Sequence, residues 1–240
     1  MPIRPVLPIL LLTSLLSSTA MAAGHSSSAP ARQPAAPPAA AKPFFPVDAS
    51  HFLVGLIAAR ADDYAVAAQS YAAALKADPD NRELLRQTFT EAALAGSPDA
   101  PALAAQMLKQ PGGKSILTAF VLGNDAIQHS RWKEAAQIYS GMPADALTAI
   151  LTPLLQAWCL AGEKKSTEAV DLLTSPGRRL SPAMPFYTAH AALIATMAGD
   201  MAKAKTLYDR ATVLLPGSDL LTNRAHANFL WQTGHQTEAR

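Results

Sequence analysis

The stretch that decides the fold lies near the start of the folded part and reads GLIAARADDYAVAAQSYAAALKADP over residues 55–79. Two alanine-rich segments flank a polar turn at residues 61–63. Gly55 precedes Ala67 by twelve residues, and Tyr71 follows four residues after Ala67. This pattern predicts two helices joined by a tight turn, with small residues where the helices cross and one tyrosine filling the space beside them.

The same arrangement returns along the chain at a nearly constant interval. After Ala67, the corresponding positions follow at intervals of 34, 34, 34, 35 and 35 residues and hold Pro101, Ala135, Ala169, Ala204 and Ala239. Four residues after the first five of these positions come Tyr71, Ala105, Tyr139, Leu173 and Tyr208. Twelve residues before each position come Gly55, Phe89, Gly123, Ala157, Ala192 and Ala227. Turn signals recur at residues 61–63, 95–97, 161–163, 198–200 and 233–235. An internal repeat of this length predicts a stack of similar helix pairs.

These residues resemble the tetratricopeptide repeat (TPR), which has a small residue followed by an aromatic at +4, a small residue at +7 and proline at +12. The first copy carries Ala67, Tyr71, Ala74 and Pro79, and the fifth carries Ala204, Tyr208, Ala211 and Pro216. The resemblance implies an all-α fold, a right-handed α-solenoid of about six helix-turn-helix repeats whose first helices line the concave face. It implies an exported bacterial protein of this type.

The sequence departs from the family pattern at two places. The aromatic that the family places in the first helix is replaced by Ala58, Ala92, Ala126, Leu160, Ala195 and Leu230. The second copy departs further, because Pro98 and Pro101 are tolerated only around the first turn of its second helix. That constraint places the start of this helix near Ser97.

The repeats predict six helix pairs between residues 48 and 240. We expect the first helices near residues 49–61, 81–95, 115–128, 145–161, 185–198 and 219–232. The sixth repeat is incomplete, because the sequence ends one turn into its second helix. Since a solenoid needs a polar closing element, we expect this sequence to be the N-terminal part of a longer protein. We also expect Leu220, Phe229 and Leu230 to be exposed.

The residues before the repeats predict export. Residues 1–22 have the pattern of a signal peptide, with an apolar core over residues 6–16 and small residues at Ala20 and Ala22. That core is shorter than the ~20 residues of a membrane-spanning helix. Residues 23–47 are rich in alanine and proline and predict a disordered tether. We therefore expect a periplasmic or cell-envelope protein with no stable membrane insertion after cleavage.

Composition and motif spacing argue against several classes of function. A formal net charge of +2 and the absence of a basic run argue against nucleic-acid binding. No histidine spacing predicts a metal site, and residues 112–115 lack the earlier glycine of a phosphate-binding loop. Cys159 is the only cysteine, and its apolar surroundings predict a buried, inert thiol. We expect no cofactor and no catalytic residues, so the chain is predicted not to be an enzyme.

Two functions remain open. The first is a non-catalytic protein–protein interaction scaffold of the periplasm or cell envelope that binds a peptide or protein in its concave groove. The second is a recruiting or accessory TPR region of a larger enzyme or export or assembly machine whose active part lies beyond residue 240. Sequence beyond residue 240 would discriminate between them, because further repeats favour the first and a catalytic or barrel domain favours the second.

The register of the first helices predicts which side chains line the groove. They are Phe52, Leu56, Phe120, Asn124, Leu154, Trp158, Phe186, Leu193, Met197, Asn228 and Trp231. Because this set is mostly apolar, it favours an amphipathic helix or an extended apolar peptide as the partner. Arg60, Arg86 and Arg224 are too scattered for a carboxylate clamp. The alternative is that these side chains are core between neighbouring pairs, since large apolar residues are normally buried.

Overall fold

The protein is described by a computed structural model over residues 49–175, 183–214 and 220–238 and Gly177, without the side chains of residues 220 and 221. The predicted signal peptide and tether lie outside the described residues. The described part forms α-helices and contains no strand. In chain order they are α1 (Ala49–Arg60), α2 (Tyr64–Ala77), α3 (Arg82–Leu94), α4 (Ala100–Leu108), α5 (Ile116–Gln128), α6 (Trp132–Ser140), α7 (Ala146–Gly162), α8 (Ser166–Thr174), α9 (Met184–Met197), α10 (Met201–Leu214) and α11 (Leu220–Gln232).

The helices form consecutive antiparallel pairs that stack in order along the chain. Each helix packs mainly against the next, and the odd-numbered helices are the first helices of their pairs. The six predicted first helices match α1, α3, α5, α7, α9 and α11 to within one residue at each end. The described residues therefore comprise five complete pairs and the first helix of a sixth. Packing between nearest neighbours is the architecture of an α-solenoid.

Short polar side chains fix where several helices begin. Asn81 and Ser115 each accept a hydrogen bond from the backbone N–H three residues later, at the starts of α3 and α5. Asp145 does the same at α7, and Thr148 bonds back to the Asp145 N–H to complete a capping box. These bonds satisfy amides that have no partner inside the helix. No described helix is long and apolar enough to cross a membrane.

The two helices of a pair cross closely where the first helix carries its small residue. A Cβ atom added to Gly55 would lie 2.7 Å from Cδ1 of Tyr71, and one added to Gly123 would lie 2.4 Å from Cε1 of Tyr139. The repeated alanines on the second helices are fully buried at the same crossings, namely Ala67, Ala135, Ala169 and Ala204. The predicted contact between a small residue and a tyrosine ring is therefore confirmed in the first and third pairs.

The six turns that follow the described first helices share one backbone motif. A residue with positive φ stands at Asp62, Gly96, Ser130, Lys164, Gly199 and Gly234, which repeats the 34- and 35-residue spacing. The N–H of the next residue donates to the carbonyl five residues earlier, as from Asp63 to Ala58 at 3.0 Å and from His235 to Leu230 at 2.8 Å. This is the Schellman motif, which ends a helix with a left-handed residue.

The fourth turn lies later than predicted. The sequence placed it around Gly162, but Gly162 is the last residue of α7, and the left-handed residue is Lys164. Gly162 has a different role, because a Cβ atom there would lie 2.3 Å from Cδ2 of Trp132 in the preceding pair. Glycine is therefore required at position 162, because α7 packs closely against the indole ring of Trp132 there.

The second pair is shifted by one residue relative to the predicted register. The structure buries Ala100 and Ala104, whereas Ala105, at the predicted tyrosine position, is exposed. α4 begins at Ala100, three residues after the predicted start, so Pro101 falls in the first turn, where no amide donor is needed. The prediction of Pro101 and Ala105 as the inward positions is therefore wrong.

The prediction that α11 exposes Phe229 and Leu230 is also wrong. Both side chains are buried in the hydrophobic core formed by α7 to α11, which we call the C-terminal core, and the ring centroid of Phe229 lies 5.2 Å from that of Tyr208 on α10. The preceding pair, α9 and α10, covers this face of α11, so the side chains need no second helix of their own for burial. The side chain of Leu220 lies outside the described residues.

We predict that Ala204→Leu destabilises the protein by about 1–3 kcal/mol, because the added atoms overpack a fully buried crossing. The matched control is Ala202→Leu, which adds the same atoms at an exposed position on the same helix. Denaturant unfolding of both variants measures the difference. Equal stability of the two would contradict the assigned register.

We predict that Lys164→Gly stabilises the protein by roughly 0.5–1 kcal/mol, because glycine removes the steric cost of the left-handed conformation at φ 64°. The opposite change at the next repeat, Gly199→Ala, introduces that cost at φ 82° and should destabilise by about 1 kcal/mol. Thermal melts of the pair test this, and a change of the same sign in both variants would refute it.

Candidate functional site

The predicted groove residues all lie on first helices, but they differ in depth. Phe52, Phe120 and Leu154 are buried. The Phe52 ring centroid lies 5.8 Å from that of Tyr71, and the Phe120 centroid lies 6.2 Å from that of Tyr139. These three side chains hold helix pairs together and present little surface. They are therefore core residues, the alternative that the sequence leaves open.

Four predicted residues are half-buried: Leu56, Asn124, Trp158 and Leu193. Asn124 accepts a hydrogen bond of 3.0 Å from the Tyr139 hydroxyl, so it orients the ring at the crossing of its own pair. Leu193 and Trp158 pack against the edge of the C-terminal core. Each of these side chains keeps part of its surface accessible.

Trp158 joins two successive pairs. Its indole Nε1 donates a hydrogen bond of 3.1 Å to Nδ1 of the buried His190 on α9, and the two rings meet edge to face at 5.9 Å. Sequence reasoning did not select His190. The repeat register offered a signal. Leu193 on α9 is the repeat equivalent of Trp158, and His190 lies about one helical turn before Leu193. The contact fixes the orientation of the indole.

The remaining four predicted residues are exposed: Phe186, Met197, Asn228 and Trp231. Phe186, Leu193 and Met197 are seven and four residues apart, which places them along one face of α9. Trp231 is 55% exposed on the adjacent helix α11, and Met197 is 66% exposed. The structure thus concentrates the accessible apolar part of the predicted set on α9 and α11. We call Phe186, Leu193, Met197 and Trp231 the C-terminal apolar patch.

Arg86, one of the three arginines considered for a clamp, has its charged partner on its own helix. Arg86 pairs with Glu83 one turn earlier on α3, with its Nε donating to Oε2 at 2.8 Å. This pairing raises the pKa of Arg86 and lowers that of Glu83. The Arg86 charge is therefore offset within its own helix, as the sequence expectation of scattered arginines suggests.

Two buried side chains with ionisable groups, Cys159 and Tyr139, are held in their protonated forms. Cys159 is buried, and burial raises the pKa of its thiol to about 12, so it stays protonated at neutral pH. Burial also raises the pKa of Tyr139. Within the described ranges, no three or more His, Cys, Asp or Glu residues gather as metal ligands would.

A shallow cleft of about 490 Å³ lies between α10 and α11. It is lined by Met201, Ala202, Lys205, Thr206, Asp209, Phe229, Thr233 and His235. Lys205 donates to Asp209 at 3.1 Å, so the two opposite charges at the cleft satisfy each other. Thr233 Oγ1 and His235 Nδ1 lie 3.1 Å apart in this lining, and Thr233 Oγ1 also lies 2.9 Å from the Phe229 carbonyl oxygen at the end of α11.

His226 attaches α11 to α10 through its ring. It stacks on Tyr208 at a centroid distance of 5.1 Å and an interplanar angle of 10°. Its Nε2 lies 3.7 Å from Oδ1 of Asp209 and has no hydrogen-bond partner in the described part of the chain. Burial lowers the pKa of His226, while Asp209 opposes and Lys205 assists that change.

Comparison with solved structures finds the same fold at low sequence identity. The chain is similar to PilW, described as a widely conserved type IV pilus biogenesis factor, with 18% identity and a TM-score of 0.56 over 79% of this chain and 86% of that one. It is also similar to a tetratricopeptide repeat protein from Parabacteroides merdae, with 14% identity and a TM-score of 0.58 over 79% of this chain and 74% of the other. No family model and no curated protein matches the sequence. These likenesses confirm the TPR-like α-solenoid.

We predict that acidification weakens the attachment of α11. Because the pKa of His226 is lower in the folded protein than its ordinary value of about 6.5, the unfolded chain takes up a proton more readily. Stability present above pH 6.5 is therefore lost as the pH falls below it. His226→Phe keeps a ring on Tyr208 and does not titrate. Between pH 7.5 and pH 5, the free energy of unfolding should fall more for the parent than for His226→Phe. An equal fall in both proteins would refute the assignment.

Proposed function

We propose that this protein is a non-catalytic interaction scaffold of the periplasm or cell envelope, and that it binds a peptide or protein segment along its first helices. The TPR-like fold supports a scaffold, because stacked helix pairs build extended surfaces of the kind that bind other proteins. The protonated Cys159 and the self-paired charges of the α10–α11 cleft fit a role in binding.

The C-terminal apolar patch is the observation that carries this proposal. Its four side chains come from two adjacent first helices, and Met197 and Trp231 each expose more than half of their surface. Large apolar side chains that cluster at the surface of a soluble domain mark interaction sites. Tryptophan is also among the residues most often found as a binding anchor.

The packing of the helices supports placing this patch on the concave side. First helices of successive pairs contact one another directly at three of the five steps, namely α3 with α5, α7 with α9 and α9 with α11. Comparable direct contacts between successive second helices are not found among the described residues. In a curved stack, the layer whose helices approach more closely lies on the inside. This packing supports our assignment of the first helices, and of the patch with them, to the inner face.

The dimensions of the patch favour a short apolar segment as the partner. Phe186 and Met197 are eleven residues apart on one helix face, which corresponds to about 16 Å. That length matches three turns of an amphipathic helix or about five residues of an extended peptide. Asn228, exposed beside the patch, offers an amide to a polar group of the partner.

The envelope location is supported by two observations of different kinds. The N-terminal residues have the pattern of a signal peptide. The structurally similar PilW is described as a factor in type IV pilus biogenesis, a process of the cell envelope. The same likeness favours the second candidate function, a recruiting region within a larger export or assembly machine. Both candidates place partner binding at the C-terminal apolar patch.

We predict that Trp231→Ala weakens partner binding by roughly 2 kcal/mol, about 30-fold, with little loss of stability, because the side chain is exposed. Peptides selected from a random library against the parent protein serve as the ligand, and titration calorimetry measures their affinity. Met197→Ser should weaken binding in the same direction.

The matched control is Val213→Ser, since Val213 is an exposed apolar residue on the second helix α10. It should leave affinity unchanged. Trp158→Ala distinguishes the half-buried tryptophan from the exposed Trp231. It should lower the stability of the protein, because it removes the contact with His190. Equal affinity of the parent and Trp231→Ala would contradict the proposed site.

A further inference from the structure

Two exposed methionines flank the turn between α9 and α10. Of the five methionines in the described part of the chain, Met197 exposes 66% of its surface and Met201 exposes 45%. Met142 and Met184 are buried, and Met107 is half-buried on α4. The accessible thioether groups of the described residues are therefore concentrated at this one turn.

An exposed thioether reacts with hydrogen peroxide by oxygen transfer. A lone pair of the sulfur attacks one oxygen of the peroxide, so that an S–O bond forms while the O–O bond breaks. The other oxygen takes the proton of the attacked oxygen and leaves as water. The sulfur loses two electrons to become a sulfoxide, and the peroxide gains the same two. Because the oxidant must reach the sulfur, Met197 and Met201 react before the buried Met142 and Met184.

The single cysteine does not compete for the oxidant. Cys159 is buried, and burial raises the pKa of its thiol to about 12. The thiolate that attacks a peroxide is therefore absent at neutral pH. A thioether needs no deprotonation before it reacts, so the exposed methionines are oxidised first.

The two exposed methionines belong to different surfaces. Met197 is part of the C-terminal apolar patch, whereas Met201 lines the cleft between α10 and α11. A sulfoxide is polar and accepts hydrogen bonds from water, so it does not pack against an apolar partner as a thioether does. Oxidation at Met197 therefore removes apolar surface from the patch, and oxidation at Met201 leaves the patch intact.

The fold tolerates a polar group at position 197. Met197 stands five residues after Ala192, the small residue of its crossing, and the same position in the other first helices holds Arg60, Leu94, Gln128, Gly162 and Gln232. Arg60, Gln128 and Gln232 are both polar and exposed. Since Met197 also lies outside the buried core, its oxidation changes the surface and leaves the packing of the helices unchanged.

We propose that Met197 is a redox-sensitive site that controls the C-terminal apolar patch, and that its conversion to the sulfoxide by a hydroperoxide releases the partner. This inference rests on the proposed function, because it concerns the same patch. In the cell envelope no cytosolic thiol pool keeps side chains reduced. The reverse step uses an external dithiol reductant, which becomes a disulfide while the sulfoxide oxygen leaves as water.

Peroxide treatment of the full chain tests the switch. The ligand is a library-selected peptide without methionine or cysteine, and the peroxide is removed before calorimetry. Peptide mass spectrometry should find sulfoxide at Met197 and Met201 while Met142 and Met184 remain thioethers. The affinity of the parent should then fall by about 10-fold, as for the loss of one binding anchor. Unchanged affinity after complete oxidation of Met197, or faster oxidation of Met184 than of Met197, would overturn the proposal.

Three variants assign the effect to one sulfur. Met197→Leu cannot form a sulfoxide, so its treated and untreated forms should bind equally, whatever its starting affinity. Met201→Leu is the matched control from the same turn, and it should lose as much affinity on treatment as the parent does. Met197→Gln places a polar side chain of similar length in the patch and should bind weakly without peroxide. A treated Met197→Leu that loses affinity as the parent does would overturn the proposal.

Two further measurements separate the switch from other causes of lost binding. The melting temperature of the oxidised parent should equal that of the untreated parent, because a large fall would attribute the lost affinity to unfolding and overturn the switch. Methionine sulfoxide reductases with dithiothreitol should restore the affinity, and failure to do so after the thioether has been regenerated would also overturn it.

Failure of the proposed function gives a different result. In that case Trp231→Ala and the parent bind equally before any peroxide is added, and the inference falls with the site. If Trp231→Ala weakens binding and complete oxidation of Met197 does not, the site stands and the redox switch alone is refuted.

Discussion

The structure depends on the close crossing of the two helices within each pair. At Gly55 and Gly123 the absence of a Cβ atom lets a tyrosine ring rest directly on the first helix, and buried alanines on the second helix keep the backbones close. Because van der Waals attraction falls steeply with distance, this approach allows short, alanine-rich helices to bury a useful amount of surface. The spacing between neighbouring pairs, and therefore the position of the exposed side chains of α9 and α11, depends on that crossing.

The sequence predicted the helices well, because two independent patterns agreed. Apolar periodicity marked the helix bodies, and turn residues marked their ends, so the first helices were placed to within one residue. The errors arose where tertiary contact overrides local preference. Lys164 adopts a conformation that favours glycine, while nearby Gly162 is used for packing against Trp132. In the second pair, Pro101 moves the inward register to Ala100 and Ala104.

The site was harder to predict, because the repeat register gives the direction in which a side chain points but does not determine how far that side chain is buried. Phe52 and Phe186 were assigned to the same face, yet Phe52 packs against a tyrosine ring and Phe186 is exposed. Depth depends on which neighbours are present, as Phe229 also shows, since it is covered by α10. The hydrogen bond from Trp158 to His190 joins residues 32 positions apart on separate pairs. The repeat register places these two residues near each other, but the bond itself depends on the conformations of the two side chains.

Unlike the first, third and fifth pairs, the second pair has no tyrosine on its second helix, where Ala105 stands at the repeat position. The core around α4 is built from Ala68, Ala92 and Ala100, with Leu103 and Val121 at its edge, whereas the pairs on either side are held by Tyr71 and Tyr139. Alanines bury little apolar area, so we expect the packing around α4 to resist deformation less than the tyrosine-filled crossings of the first and third pairs. A bending load on the chain would then displace α4 before it separates the helices of those two pairs.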